Sequence, residues 1–316
     1  MKAEQLYEQI TEDLCAAIEA GAGQWSMPWR ALATGRSVNV AGRAYHGINA
    51  LWLPMVADEK GYNSGVWGTY QAWQGYGGQV RKGERATHAV LWKSVPKPRG
   101  AGDAGGAGDA GGGDAGDTDD AKRKDVLMVR TFAVFAAEQV DGAEARIAAM
   151  TPEPLPEGER IEHAEAFFAG VGADVRHGGD RAYYLPSHDY IALPERGAFR
   201  TPEHYYGTAA HEHIHWTGHD TRLARDLTGR FGGDRYAMEE LVAEIGAAFV
   251  GGILGTGVAT RDDHAAYLSS WLRVLKSDAR AIQTVASKAQ AAADYLAEVA
   301  GAAEVAGVAG VAGVAA

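Results

Sequence analysis

The stretch His211-Glu212-His213-Ile214-His215 decides how the C-terminal half of this chain folds. Residues four apart lie on one face of an α-helix, so His211 and His215 can point their imidazoles at a single ion. Glu212 lies beside them, where a carboxylate can take a proton from water that a metal activates. We therefore predict a metal site with His211 and His215 as ligands and Glu212 as the catalytic base.

A catalytic zinc ion needs a third protein ligand and keeps one position open for water. In metzincins this ligand is a histidine six residues after the second one, but that position holds Thr221. In gluzincins it is a glutamate on a following helix, and Glu240-Leu-Val-Ala-Glu244 places two carboxylates on one helical face. We predict Glu240 as the ligand, in preference to Glu239 or Glu244, and Glu244 as the acid that fixes a ligand histidine's tautomer. The ligand types favour Zn²⁺ and leave room for Mn²⁺.

Apolar periodicity and turn residues predict a mainly helical C-terminal domain with a short β-sheet. Helices are expected near 160–170, 202–217, 235–253, 262–276 and 278–300, and short strands near 173–177, 183–185 and 190–193. An edge strand beside the metal could hold an extended peptide by main-chain hydrogen bonds. The oxyanion-stabilising group has four unranked candidates, which are Tyr205, Tyr206, His188 and His219.

The N-terminal half has a different character. Steps of four between Leu6, Ile10, Leu14 and Ile18 predict a helix over 3–20. Residues 25–99 are rich in aromatics, glycine and short β-type runs. Residues 20–99 carry ten Lys or Arg and three Asp or Glu, a net charge of +7, although the whole chain has a net charge of −11. This asymmetry indicates different partners for the two halves.

A segment made almost wholly of Gly, Ala and Asp, at about 100–121, interrupts the N-terminal half. It has too little apolar surface to fold, so we expect disorder. It is either a domain linker or an insert in a hairpin whose strands are 88–95 and 126–135, and the hairpin is favoured because both flanks are apolar. The chain as a whole is expected to be α+β, with a small mixed domain at 1–150, a linker at 151–157, a helical domain at 158–300 and a loose tail at 301–316.

Aromatic and basic residues alternate in the N-terminal half in a way that suits single-stranded nucleic acid, because bases stack on rings and phosphates meet cations. Six of the eight tryptophans precede position 99, and a core role is the expected one for most of them. The predicted DNA-contacting residues are Trp25, Trp29, Arg36, Arg43, Tyr45, Asn49, Trp67, Gln71, Arg81, Lys82 and Lys93.

Several N-terminal segments resemble the single-stranded-DNA-binding domain of ArdC-type antirestriction proteins. They are Trp25-Ser-Met-Pro-Trp29, Arg43-Ala-Tyr-His-Gly-Ile-Asn49, Trp67-Gly-Thr-Tyr-Gln71, Val80-Arg-Lys-Gly-Glu84 and residues 132–142. The runs 211–219 and 239–245 resemble that family's zincin metallopeptidase domain. The resemblance implies non-specific binding of single-stranded DNA, protection of incoming plasmid or phage DNA against host restriction, and a zinc-dependent peptidase of gluzincin type acting on a protein or peptide.

Two other functions compete with this one. The chain could be a cytoplasmic zinc metallopeptidase whose N-terminal domain binds protein, or a DNA-binding protein whose metal only stabilises the fold. A closed structural metal site should have four protein ligands, whereas the sequence offers three suitable ones. This argues against a DNA-binding protein whose metal only stabilises the fold. The single cysteine, Cys15, and the lack of a signal peptide suggest the cytoplasm. The longest nearly uncharged run, 245–258, is too short to cross a membrane.

Overall fold

The computed structural model describes residues 2–20, 36–95, 126–150, 156–228, 233–256 and 268–301. Within these ranges the fold is mixed α and β, as predicted, with nine α-helices and nine β-strands. The helices α1 to α9 span Ala3–Ala20, Ile48–Lys60, Tyr70–Gly75, Glu144–Met150, Glu157–Val171, Pro202–Thr217, Asp234–Leu254, Leu268–Ser277 and Ala281–Val299. The strands β1 to β9 span Val38–Asn39, Val66–Gly68, Gln79–Val80, Thr87–Val95, Val126–Ala136, Val140–Asp141, Asp174–His177, Tyr183–Leu185 and Tyr190–Leu193.

The predicted hairpin on either side of the Gly/Ala/Asp segment is confirmed. Strands β4 and β5 pair in antiparallel register from Thr87↔Val134 to Val95↔Val126. They form one edge of a four-stranded sheet of order β1-β2-β5-β4. Continuous pairing up to the last described residue on each side requires the segment to be an insert between paired strands, so the linker interpretation is wrong. The expected disorder of 100–121 lies outside the described residues.

Helix α2 departs from the β-type runs expected over 25–99. Its sequence, Ile-Asn-Ala-Leu-Trp-Leu-Pro-Met-Val-Ala-Asp-Glu-Lys, has a proline inside it, and prolines disfavour helix interiors. The helix nevertheless forms because eight of its residues between Ile48 and Ala57 are buried, and the helix packs against the sheet and α9. Burial thus outweighs local propensity here. Gly61, at φ 68°, ends the helix in a left-handed conformation.

Helix α1 confirms the expected helix over 3–20 and joins the core. Leu6, Ile10, Leu14 and Ile18 are all at most 1% exposed. They pack against β5, α8 and α9, so residues on both sides of the predicted boundary at 151–157 share one core. That domain division therefore stays a prediction, and residues 151–155 and the tail 302–316 lie outside the described ranges.

Helices α6 and α7 form the centre of the C-terminal half. Thr201 caps α6 by accepting a hydrogen bond from the His204 backbone N–H, and α6 ends before Gly218, at the predicted end of the helix over 202–217. Helix α7 lies close to α6 because Gly246 faces Ile214: a Cβ added at Gly246 would come within 2.8 Å of the Ile214 side chain. This close approach brings the carboxylates of α7 to the histidines of α6.

The C-terminal sheet has the order β7-β9-β8, with β7 parallel and β8 antiparallel to β9. Strand β8 is therefore an edge strand, and both β8 and β9 pack against α6. The strands predicted near 183–185 and 190–193 are confirmed, and the one near 173–177 begins at Asp174. Among the described residues, no helix has the length and apolar character needed to cross a membrane.

Candidate metal centre

The structure brings His211, His215 and Glu240 together, as the sequence predicts. The two Nε2 atoms are 3.1 Å apart. Glu240 lies with one carboxylate oxygen 3.7 Å from His211 Nε2 and the other 3.4 Å from His215 Nε2. For ligands about 2.0–2.1 Å from a tetrahedral zinc ion, the ligand-to-ligand separation is about 3.3 Å. The three groups are therefore spaced to share one ion.

Two further carboxylates orient the histidines. Glu244 Oε1 lies 2.9 Å from Nδ1 of His211, and Glu239 Oε1 lies 3.3 Å from Nδ1 of His215. Carboxylates in these positions favour a proton on Nδ1, which leaves a lone pair on each Nε2. Two lone pairs only 3.1 Å apart repel unless a cation lies between them, so the donor set fits a divalent metal ion.

The electrostatics of the centre agree with this fit. Burial lowers the pKa of His215, but the neighbouring Glu239 and Glu240 outweigh burial and raise this pKa to about 10. The buried carboxylates thus hold a positive charge at the point where the two imidazoles meet. A divalent ion would supply that charge directly and leave the imidazoles neutral.

Arg225 is the residue of this centre that the sequence analysis missed. It lies in the loop after α6, its side chain is 5% exposed, and its guanidinium donates to both carboxylate oxygens of Glu239. It also donates to the Ile214 carbonyl at 2.6 Å and to Thr217 Oγ1 at 2.7 Å. A chain of contacts therefore runs from the end of α6 through Arg225 and Glu239 to His215. The loop path that brings Arg225 to Glu239 has no periodic signal in the sequence.

His213, in the same motif, is turned away from His211 and His215 and into the core. Its Nδ1 lies 2.6 Å from the Ala209 carbonyl, and its ring packs 4.7 Å from that of Phe168. Burial lowers the pKa of His213 to about 4, although the backbone contact opposes this change. A neutral, buried imidazole bonded to its own helix is a core residue.

A cleft of about 640 Å³ opens onto the three ligand groups. Glu212, the predicted base, is 3% exposed and lines this cleft beside His211. Tyr183 and Tyr184 of the edge strand β8 also line it. The cleft therefore brings Glu212, the three groups that could hold a metal ion and an edge strand around one space.

None of the four residues considered for the oxyanion lines this cleft. Tyr205 contacts His177, Tyr206 donates to Glu165, and His188 and His219 contact hydroxyl groups of neighbouring residues. Two other residues with suitable donors, His204 and Tyr236, do line it. Tyr236 precedes Glu240 by four residues and Glu244 by eight, so a repeat of four along α7 was the signal that could have found it.

The predicted DNA-contacting residues divide into buried and exposed groups. Trp67 is 0% exposed and belongs to the core. Asn49 donates to the Val90 carbonyl and accepts from the Val90 backbone N–H, so its amide holds β4 in place. Tyr45 is half-buried, and burial raises its pKa to about 12. These three residues therefore support the fold.

The other members of the predicted set have varied positions. Arg36 is half-buried, whereas Arg43, Gln71, Arg81 and Lys82 are exposed. Lys93 belongs to β4, and its partner in the register is Met128. Trp25 and Trp29 lie outside the described residues. Three aromatic residues of this half that are not in the predicted set are exposed in the structure. They are Tyr70, Tyr76 and Trp92, at 43%, 50% and 38% exposure.

The fold and the site define a class: a zincin-like metalloprotein whose candidate metal centre lies in the C-terminal half, after a mixed α and β N-terminal half. Family models agree with both parts. A model described as a zincin-like metallopeptidase matches residues 162–288, and one described as the N-terminal domain of the anti-restriction factor ArdC matches residues 4–135.

Relatives and solved structures extend the match to the whole chain. An uncharacterised protein, y4eC, of Sinorhizobium fredii (strain NBRC 101917 / NGR234) is 45% identical over 297 residues, which cover 92% of this chain and 91% of that protein. The metal-free crystal structure of the antirestriction ArdC protein from R388 plasmid has a TM-score of 0.73 and 37% identity, and covers 94% and 98% of the two chains. The Mn(II)-bound structure of the same protein has a TM-score of 0.71 and 36% identity, and the match covers 93% of this chain and 98% of that chain. This chain therefore belongs to the ArdC-type antirestriction family.

The DNA primase TraC of Escherichia coli also contains a related region. The identity is 36% over 299 residues, which are 92% of this chain but only 20% of that primase. A second TraC sequence gives 37% identity with 27% of its length covered. The shared region is therefore a module that occurs both in chains of this size and as one part of much longer proteins.

Proposed function

We propose that this chain protects incoming plasmid or phage DNA from host restriction by binding single-stranded DNA through its N-terminal half. We also propose that its metal centre is a gluzincin-type peptidase that hydrolyses a protein or peptide. The observation that carries the peptidase half is the convergence of His211, His215 and Glu240 on one point, beside the buried Glu212. Membership of the ArdC-type family supports the DNA half.

The residues of the centre have separate roles in the proposed hydrolysis. His211, His215 and Glu240 would hold Zn²⁺, with Mn²⁺ as the alternative that the R388 relative's Mn(II)-bound structure favours. The bound ion would act as a Lewis acid on the scissile carbonyl and on water. Glu212 accepts the proton of the attacking water and returns it to the leaving amine. Because Glu212 lines the cleft next to the ligands, both transfers occur within one space.

The edge strand β8 supplies a place for the substrate. Its outer side lacks a partner strand among the described residues, and Tyr183 and Tyr184 line the cleft. An extended peptide that adds to this edge gains main-chain hydrogen bonds without requiring a particular side chain. This arrangement supports a protein or peptide as the substrate.

Replacing Glu212 by Gln tests the peptidase assignment. We expect hydrolysis of fluorescein-labelled casein by the Zn²⁺-loaded or Mn²⁺-loaded protein to fall by about 10²–10⁴-fold, the usual contribution of a general base. Metal content, measured by elemental analysis, should stay at the wild-type level, because Glu212 is placed as a base and not as a ligand. Glu240→Gln is the matched control, and it should lose metal. Loss of metal from Glu212→Gln would make Glu212 a ligand and contradict the assignment.

The antirestriction role is tested by transfer of an unmodified plasmid into a restricting host. Co-expression of this chain should raise the recovery of the plasmid, and should have no effect in a host without the restriction system. Equal recovery with and without the chain in the restricting host would contradict the role. The Glu212→Gln variant in the same assay then shows whether protection depends on the peptidase.

A further inference from the structure

We propose that the N-terminal half contains a pocket for one unstacked nucleobase of single-stranded DNA, formed by Tyr70, Gln79 and Asp141 with Arg81 at its side. This proposal rests on the proposed DNA binding and names the place where one base is held. Tyr70, Gln79, Arg81, Lys82, Phe135 and Asp141 all line the pocket. Of these residues, Arg81 and Lys82 belong to the predicted DNA-contacting set.

The local fold aligns the polar groups of the pocket. Strands β3 and β6 pair in antiparallel register, and this places Gln79 directly opposite Asp141. Gln79 Nε2 donates to the Tyr70 hydroxyl at 3.1 Å, and Arg81 Nη1 lies 3.7 Å from Asp141 Oδ1. The pocket therefore has the Tyr70 ring beside the Gln79 amide, and the Asp141 carboxylate, opposite Gln79 in the strand pair, beside the Arg81 guanidinium.

These groups have the chemistry that a single base requires. The Tyr70 ring is 43% exposed, so a base can stack on it. The Gln79 amide oxygen and the Asp141 carboxylate can accept hydrogen bonds from N–H groups on a base edge, as such groups do for unpaired bases in other complexes. The partly buried Phe135 supplies apolar surface beside Tyr70.

The charges of the pocket favour a base over a phosphate. Arg81 and Lys82 are balanced by Glu84 and Asp141, so the four ionisable side chains that line it sum to zero. A site for phosphate alone would show an excess of cations. Lys82 is exposed in the turn that follows β3, where it can meet the phosphate next to the bound base. The pocket is thus a base site with one cation at its rim.

The pocket is also held in one conformation. Arg81 Nη2 contacts Glu84 Oε1 at 2.9 Å and the Glu138 carbonyl, and its backbone N–H donates to the Gln139 carbonyl at 3.0 Å. Gln79 is fixed by a second bond from Nε2 to the Val80 carbonyl at 2.9 Å. A site ordered before binding loses little conformational entropy when the ligand arrives.

Binding of normal and abasic oligonucleotides to the full-length protein tests the pocket. Fluorescence anisotropy would compare a labelled oligothymidylate with an oligonucleotide of equal length whose bases are replaced by hydrogen at C1′. The wild type should bind the normal oligonucleotide more tightly. Tyr70→Ala should weaken this binding roughly tenfold, the effect of losing one stacked base, and leave binding of the abasic strand unchanged. Lys82→Ala should lower the salt slope of log K by about 0.7 for both strands.

Tyr76→Ala is the matched control. Tyr76 follows α3 and is 50% exposed, but the Arg146 guanidinium already covers its ring at 4.4 Å from the centroid. This variant should bind both oligonucleotides like the wild type. If Tyr70→Ala does not fold, as judged by circular dichroism, Asp141→Ala should reduce the same preference, because Asp141 is the exposed carboxylate of the pocket.

The outcomes separate this proposal from the proposed function. If the wild type binds no single-stranded DNA at low salt, the DNA-binding function itself fails. If the wild type binds, but the folded Tyr70 or Asp141 variant keeps the full preference for normal over abasic DNA, the pocket proposal is overturned and DNA binding stands. A Tyr76→Ala variant as weak as Tyr70→Ala would also overturn the proposal, because the effect would not be specific to the pocket.

Discussion

Glu239 shows at the scale of single residues why a metal centre cannot be understood from its ligands alone. Its carboxylate lies between His215 and Arg225, and burial raises its pKa, yet hydrogen bonds from His215 and Arg225 outweigh burial and lower it. Glu239 therefore stays ionised and can accept the Nδ1 proton of His215. Groups that orient a ligand histidine in this way contribute to metal affinity as well as to geometry.

Replacing Arg225 by Lys tests this arrangement. Lysine keeps the charge but cannot form the forked contact with both oxygens of Glu239. We expect the dissociation constant for Mn²⁺ or Zn²⁺ to rise by about 10–100-fold, the usual effect of losing a group that orients a ligand. Isothermal titration calorimetry with a competing chelator would measure it.

Arg222→Lys is the matched control for that variant. Arg222 is also mostly buried and lies in the same loop, but it pairs with Asp189 and stacks on Trp216 at 3.8 Å from the ring centroid. It should lower thermal stability and leave metal affinity within about twofold of wild type, since it contacts no ligand residue in the described structure. Equal losses of affinity in both variants would show that Arg225 acts through general stability of the loop.

Residues on regular helices were predictable, and residues that depend on loops were not. His211, His215, Glu240 and Glu244 follow from a spacing of four on two helices, because helical geometry fixes which side chains share a face. Arg225 reaches the site only because the loop folds back over the end of α6, and no periodicity encodes that path. Trp67 illustrates the opposite error: a tryptophan among basic residues suits both a core and a base-stacking surface, and only the fold distinguishes them.

At the scale of secondary-structure elements, the distance between α6 and α7 sets the metal centre. Gly246 and Ile214 are the contact that permits it. Gly246→Ala places a methyl group within 2.8–3.1 Å of three Ile214 side-chain atoms. Overpacking costs about 1–3 kcal/mol, and the better helix propensity of alanine returns about 1 kcal/mol. We therefore expect a net loss of about 1 kcal/mol of unfolding free energy in urea denaturation, together with weaker metal binding as the helices separate.

A second glycine on a helix provides the control for this prediction. Gly158 lies in the first turn of α5, and an added Cβ there meets nothing within 4 Å. Gly158→Ala should leave metal affinity unchanged and leave stability equal or slightly higher. If Gly246→Ala binds metal as tightly as Gly158→Ala, the close approach of α6 and α7 does not position the ligands.

The elements differ in how well a sequence specifies them. The β4–β5 pairing was predictable across its insert because two apolar runs of strand length flank the insert, and closing a long loop between them costs little more than closing a short one. Helix α2 was not, because Pro54 and the surrounding glycines argue against a helix. What forms it is burial of Leu51, Trp52 and Leu53 between the sheet and α9, a contact with residues more than two hundred positions away.

At the scale of the whole molecule, contacts join the two halves that the sequence divides at 151–157. The Thr11 hydroxyl lies 3.3 Å from the Ala279 carbonyl, and the Gly47 backbone N–H donates to Gln290 at 3.2 Å. The buried face of α1 packs on α8 and α9, which in turn pack on α7, the helix that carries Glu240. A change of stability at the metal centre should therefore also change the free energy of unfolding of the N-terminal half.

Metal-dependent unfolding tests this coupling. If the shared core makes the described parts unfold together, one cooperative transition should appear by both far-ultraviolet circular dichroism and tryptophan fluorescence. Mn²⁺ at a free concentration of 100 times its dissociation constant should then stabilise the entire transition by about 2.7 kcal/mol. The His215→Ala variant, which lacks one ligand, should show no such shift. Two transitions, of which metal shifts only one, would instead support independent domains, and would show that the contacts of α1 with α8 and α9 are too weak to couple the unfolding of the two halves.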